Sequence, residues 1–144
     1  MKLAGLKSVE NSHDESVWAA TWVPATETRP TLLMTGSLDE TVKLWGSDEL
    51  VLERTNTGHS LGVASVAAHP SGLIGASASL DSFVRVFDVD TNATVATLNF
   101  SFRVIKVVGL YSVLMGLSVG NLIARWDEMV SAFSESSSFW VALN

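Results

Sequence analysis

The stretch Thr35–Trp45, TGSLDETVKLW, has a second copy in Ser77–Phe87, SASLDSFVRVF, forty-two residues further on. Each copy reads as small polar residues, then Leu-Asp, then a short alternating run that ends on an aromatic. That pattern predicts a strand, a tight turn around the Asp and a second strand, with Val42 and Leu44, or Val84 and Val86, on one face. The copies share a landmark upstream: His13 precedes SVWAATWVP, and His59, after Gly58, precedes LGVASVAAHP. His13 and His59 lie forty-six residues apart, whereas Asp39 and Asp81 lie forty-two apart, so the first repeat carries four extra residues. The segment ATETRP, residues 25–30, is where they fit, because surface loops absorb insertions at small entropic cost.

Four strands fit each repeat without a forced loop. The first repeat predicts strands near Val17–Val23, Leu32–Thr35, Thr41–Trp45 and Leu50–Arg54. The second predicts Val63–Ala68, Leu73–Ser77, Phe83–Asp88 and Thr94–Leu98. Turn residues punctuate them at Pro70-Ser71-Gly72, Gly46-Ser47-Asp48 and Asp90-Thr91-Asn92. Residues 1–12 read as an entering strand or arm.

A period of about forty-two residues, with His at the start, S-x-D in the middle and an aromatic at the end, resembles the WD-repeat family of β-propellers. The strings MKLAGLKSVE, SVWAATWVPATETRP, GSLDETVKLW, NTGHSLGV and DSFVRVFDVDTNATVATL are similar, within that family, to the plant subunits shared by the superkiller complex and the polymerase-associated factor complex. The similarity runs over residues 1–98 and fades after Leu98. It implies an all-β fold, a partial WD-repeat propeller with blades at about 13–55 and 59–98. A chain of 144 residues is too short for a ring of four to eight blades at roughly 40–45 residues each. A propeller fragment, a short isoform or a chain completed by partners is expected.

The resemblance also implies a hydrogen-bond chain inside each blade. In the first it joins Asp39, His13, the hydroxyl of Thr35 or Ser37, and the Trp45 indole. In the second it joins Asp81, His59 and Ser77 or Ser79, and stops there, because Phe87 has no N–H to offer. Ser, His and Asp together could also be read as a hydrolytic triad. Their recurrence at repeat spacing favours the structural reading.

Residues 99–144 change character. Val107–Ala124, VVGLYSVLMGLSVGNLIA, is eighteen residues without a charge. It reads as a degenerate third blade, with SVGNLIARW over SLDETVKLW and Trp126-Asp127 as the WD pair; as a membrane helix at the lower length limit; or as a tail with no evolved fold. Gly116-Leu117-Ser118-Val119-Gly120 matches the nucleophile-elbow pattern, but no His follows it. Three His and no Cys give no zinc spacing, so neither metal nor cofactor is expected. Asn92-Ala93-Thr94 and Asn99-Phe100-Ser101 are glycosylation sequons by pattern alone.

The composition, 47% hydrophobic and 17% charged, is globular, and the net charge is −6. Six basic and twelve acidic residues precede Asn99, which argues against direct binding of nucleic-acid phosphate. The absence of Cys fits a reducing compartment, and the four-residue apolar run LAGL is too short for a signal peptide. The functional expectation is a non-enzymatic scaffold. The resemblance implies a tetratricopeptide-rich superkiller subunit and polymerase-associated factor subunits as partners, in the nucleus and cytoplasm. The alternatives are a truncated nonfunctional or regulatory isoform and a membrane-tethered fragment. The loops Ala25–Pro30 and Asp48–Glu49 are the first places to expect a partner.

Overall fold

The computed structural model describes residues 7–99. Eight strands form two four-stranded antiparallel sheets, each a simple meander. The first blade holds β1 (Val17–Val23), β2 (Leu32–Ser37), β3 (Val42–Gly46) and β4 (Leu52–Asn56) in the order β1-β2-β3-β4. The second holds β5 (Val63–Ala68), β6 (Ile74–Ser79), β7 (Phe83–Asp88) and β8 (Thr94–Asn99) in the order β5-β6-β7-β8. Within the described residues the fold is thus all-β, as the repeat pattern implies.

The backbone repeats more faithfully than the side chains. Glu40 and Ser82 both hold positive φ, 71° and 69°, in the turns after Leu-Asp. Leu50 and Asn92 do the same, at 53° and 61°, in the turns after the third strands. In the latter turns Leu50 N–H donates to Gly46 O at 2.9 Å, and Asn92 N–H to Asp88 O at 2.9 Å. Left-handed backbone at these points lets a tight turn follow the twist of its strands. This explains why β4 starts at Leu52 and not at Leu50: an apolar Leu-Val pair reads as strand, but its leucine closes the turn. Similarly, β3 starts after Thr41, whose N–H and hydroxyl are both engaged by Asp39.

Alternation puts one face of the first blade against the second. Val23, Leu32, Met34, Val42 and Leu44 meet Val63, Val66, Phe87 and Val89 in one buried cluster. Side chains of this size each contribute roughly 1.5–3 kcal/mol on full burial, and here they join the blades. A second cluster, Ala67, Ile74, Ala76, Ala78, Val84 and Val86, belongs to the second blade alone. Its Ile74, Ala76, Val84 and Val86 repeat the positions of Leu32, Met34, Val42 and Leu44. Strands β1 and β5, the first strand of each sheet, lie side by side. Both carry a bulge, between Val17 and Ala19 and between Val63 and Ser65.

The entering segment is not a strand within the described residues. It runs along the first blade as an arm: Lys7 Nζ donates to Asp48 O and pairs with Glu49 at 2.8 Å, and Lys43 Nζ donates to Ser12 O at 2.7 Å.

Candidate functional site

In the first blade, the turn between β2 and β3 aims the Asp39 carboxylate back at the loop ahead of β1. Asp39 Oδ2 lies 2.8 Å from His13 Nδ1 and accepts the Asp14 N–H at 3.0 Å. Its Oδ1 accepts the Thr41 hydroxyl at 2.6 Å and the Thr41 N–H at 3.0 Å. Burial pushes this carboxyl up, but the bonds from Thr41, His13 and Asp14 outweigh it and bring the pKa down to about 2. A carboxylate can only accept, so His13 Nδ1 carries the proton. On the other side of the ring, Nε2 meets Thr35 Oγ1 at 2.8 Å, and Thr35 Oγ1 accepts the Trp45 indole N–H at 2.8 Å. The His13 and Trp45 rings meet edge to face, with centroids 6.3 Å apart.

The second blade repeats the first half of this chain. His59 Nδ1 is 2.9 Å from Asp81 Oδ2, and His59 Nε2 is 2.9 Å from Ser77 Oγ. Asp81 also accepts the N–H groups of Ser60 and Phe83, at 3.0 and 2.9 Å. Burial raises the Asp81 carboxyl, but the Ser60, Phe83 and His59 bonds win and hold it below its ordinary value. Burial lowers the His59 pKa, with Arg85 adding to the effect and Asp81 opposing it. The neutral ring then donates from Nδ1 to Asp81 and accepts the Ser77 hydroxyl at Nε2. Phe87 closes no further link; its ring lies over Gly75, where a Cβ would come within 2.8 Å of Phe87 and 2.9 Å of Met34 Cε.

Of the alternative hydroxyls, Thr35 and Ser77 meet the histidines. Ser37 and Ser79 are also buried but do a different job: they donate to Glu15 O and Leu61 O, at 3.2 and 2.7 Å, and accept the N–H groups of Asp39 and Asp81, each at 3.1 Å. They close the turns, and the histidine–hydroxyl links lie beside them.

These sets have triad-like connectivity without access for a substrate. Thr35 and Ser77 are buried, Ser77 completely, and the Thr35 oxygen is already shared between imidazole and indole. A nucleophile must reach its substrate. What the arrangement does is satisfy polar groups between strands and pin the loop ahead of each blade's first strand to its own blade.

Among the described residues no cluster of His, Asp and Glu is arranged to hold a metal ion, and no helix is long and apolar enough to cross a membrane. The Val107–Ala124 run, the Ser118 pattern, Trp126-Asp127 and the second sequon's Phe100 and Ser101 lie outside the described residues. The first sequon's Asn92 is engaged: it accepts from Asn56 Nδ2 at 3.1 Å and donates to Thr55 O at 3.0 Å.

The sequence pattern missed two features. Arg29 is buried and donates across the blades to Asp90 Oδ1 at 2.7 Å and Gly72 O at 2.6 Å. Trp18 and Trp22 are the reverse, large apolar side chains 54% and 58% exposed on β1, an edge strand of the first sheet. Both tryptophans stand in the quoted alternating strand, but alternation cannot tell which face meets a neighbour.

The His–Asp–hydroxyl chain thus recurs inside two successive four-stranded blades. The WD40 family pattern (WD domain, G-beta repeat) matches residues 6–46 and 50–88. The chain belongs to the WD-repeat family. It is 81% identical over 98 residues to WD repeat-containing protein VIP3 of Arabidopsis thaliana, an alignment covering 68% of this chain and 30% of VIP3. Over 90 residues it is 32% identical to WD repeat-containing protein SL1-17 of Schistosoma mansoni, covering 61% of this chain and 30% of that one. Over 71 residues it is 35% identical to COMPASS component SWD3 of Saccharomyces cerevisiae, covering 48% of this chain and 22% of that one. The chain therefore spans less than a third of the length of these WD-repeat relatives.

Proposed function

We propose that this WD-repeat chain is a non-enzymatic scaffold that serves the superkiller complex, in exosome-linked mRNA decay, and the polymerase-associated factor complex, in transcription elongation. The scaffold reading is carried by the way the blades use their groups: the recurrent polar residues are spent inside each blade, while Trp18 and Trp22 face solvent from β1, an edge strand of the first sheet. Tryptophan is enriched where protein interfaces concentrate their binding energy. The two complexes are supported by the near-continuous similarity of residues 1–98 to the plant subunits they share. The partners are a tetratricopeptide-rich superkiller subunit and polymerase-associated factor subunits, met in the cytoplasm and the nucleus respectively.

The test is capture of partners from plant extract by the tagged 144-residue chain, identified by mass spectrometry, beside a Trp18→Ala, Trp22→Ala double variant. Recovery of those subunits by the parent chain, with loss of at least tenfold in the variant, is expected. Recovery of chaperones alone by the parent chain would refute the assignment.

A further inference from the structure

The four residues by which the first repeat exceeds the second lie in the loop between β1 and β2, and there the two blades are fastened. The equivalent turn of the second blade is short and folds on itself: His69 Nδ1 is 2.8 Å from Ser71 Oγ, and Gly72 N–H donates to His69 O at 2.9 Å. The longer loop instead leans outward. Thr26 N–H donates to Arg29 O at 2.8 Å, a turn that directs the Arg29 side chain onto the second blade. Arg29 Nε meets Asp90 Oδ1 at 2.7 Å, Nη2 donates to Gly72 O at 2.6 Å, and Nη1 donates to its own loop at Pro30 O, 3.1 Å.

The receiving side is shaped for it. Gly72 has φ 73° and runs against Pro24 O, so that any side chain there would strike the loop backbone. Asp90 is presented by a turn already fixed from within: Asp88 Oδ1 accepts the N–H groups of Asp90 and Thr91, at 3.0 and 2.7 Å, and the Thr91 hydroxyl at 2.9 Å. The Thr91 N–H first, with the other bonds, holds the Asp88 carboxyl below its ordinary value against some burial. Asn92 in the same turn bonds Asn56 and Thr55 of β4.

We infer that the inserted loop is an inter-blade latch, with Arg29 as its bolt, which makes the β5–β6 and β7–β8 turns of the second blade open together with the first blade. Repeat arrays are otherwise sums of units and nearest-neighbour interfaces, whose ends open separately. The latch is directional, since it sits at one end of the strands only. It also removes the one basic side chain of residues 25–30 from the surface on which a partner was expected.

Hydrogen exchange by mass spectrometry on the 144-residue chain tests this with Arg29→Met and Asp90→Ala. Arg29→Met leaves a buried carbonyl and a carboxylate unpaired, so segments 69–73 and 88–93 should exchange about tenfold faster. Asp90→Ala, at a partly exposed position, should give about threefold in the same segments. Segments 37–41 and 79–82, at the opposite strand ends, should not change in either variant. Equal acceleration in all four segments, or none in 69–73 and 88–93, would overturn the latch. Should Arg29→Met fail to fold, Asp90→Ala decides by the same criterion.

Discussion

The two blades share a backbone and cover the aromatic of their third strands in different ways. In the first blade the cross-strand row at that register is Trp22, Leu33, Trp45 and Leu52. In the second it is Ala68, Gly75, Phe87 and Thr94. The second row is small because Met34 of the neighbouring blade packs into it, and Phe87 is fully buried there. The first row is large, and its outer members, Trp22 and Leu52, are exposed. Trp45 is held by a hydrogen bond to Thr35, with the Lys43 ammonium 6.0 Å from its ring centroid, whereas Phe87 is held by packing alone. One position in the repeat thus tolerates either a polar or a purely apolar anchor, provided the neighbouring blade is shaped to match.

The sharpest break is in what both blades keep. Asp39→Ala leaves the His13 Nδ1–H and two backbone N–H groups without their acceptor, and should cost about 3–5 kcal/mol of unfolding free energy in urea titration. Gly75→Val attacks what only the second blade has. Its Cβ meets the Phe87 ring, and a loss of about 2–3 kcal/mol is expected, against under about 1 kcal/mol for Leu33→Met at the equivalent place in the first blade. Trp45→Phe converts the first anchor to the second type and should cost about 1–2 kcal/mol in thermal unfolding, because Thr35 loses a donor and, among the described residues, no Met34-like side chain fills the space.

Two smaller tests sharpen the contrast. Ser65, forty-six residues after Ala19, keeps a buried hydroxyl without a partner among the described residues, so Ser65→Ala should raise stability by about 1 kcal/mol in urea titration. The pH response isolates the second histidine. Because the folded state lowers the His59 pKa, the unfolded chain binds the proton more readily as pH falls below 6.5. Its contribution is therefore complete above pH 6.5 and is lost as pH falls toward the lowered folded value. Thermal unfolding from pH 7.5 to 5.5 should show this decline, and His59→Asn should flatten it. Asp39 acts in a lower window: its contribution is complete above pH 3.8 and lost as pH falls through about 2.

The meander was legible because its marks recur: Asp39 and Asp81, or Val42 and Val84, stand at a fixed spacing that no single strand pattern imitates, whereas the two histidine chains were implied only by the family resemblance. Strand ends were less so. Leu50 looks like strand residue yet occupies left-handed backbone, a choice made by the turn and not by the side chain. The choice between Thr35 and Ser37, or Ser77 and Ser79, was open for a simple reason: residues two apart on a strand share a face, and alternation alone cannot rank them. Arg29 was invisible, since its partners lie 43 and 61 residues away and belong to another unit.

Gly75 carries a further consequence, for the order in which substitutions can accumulate. Met34, Gly75 and Phe87 meet in one space, so a side chain can appear at position 75 only after 34 or 87 has shrunk. A tryptophan at position 87, supplying the missing N–H to Ser77, would likewise have to wait for Met34 to give way. The second blade's shorter hydrogen-bond chain is thus tied to a residue of the other blade, whose size bears on what position 87 can hold.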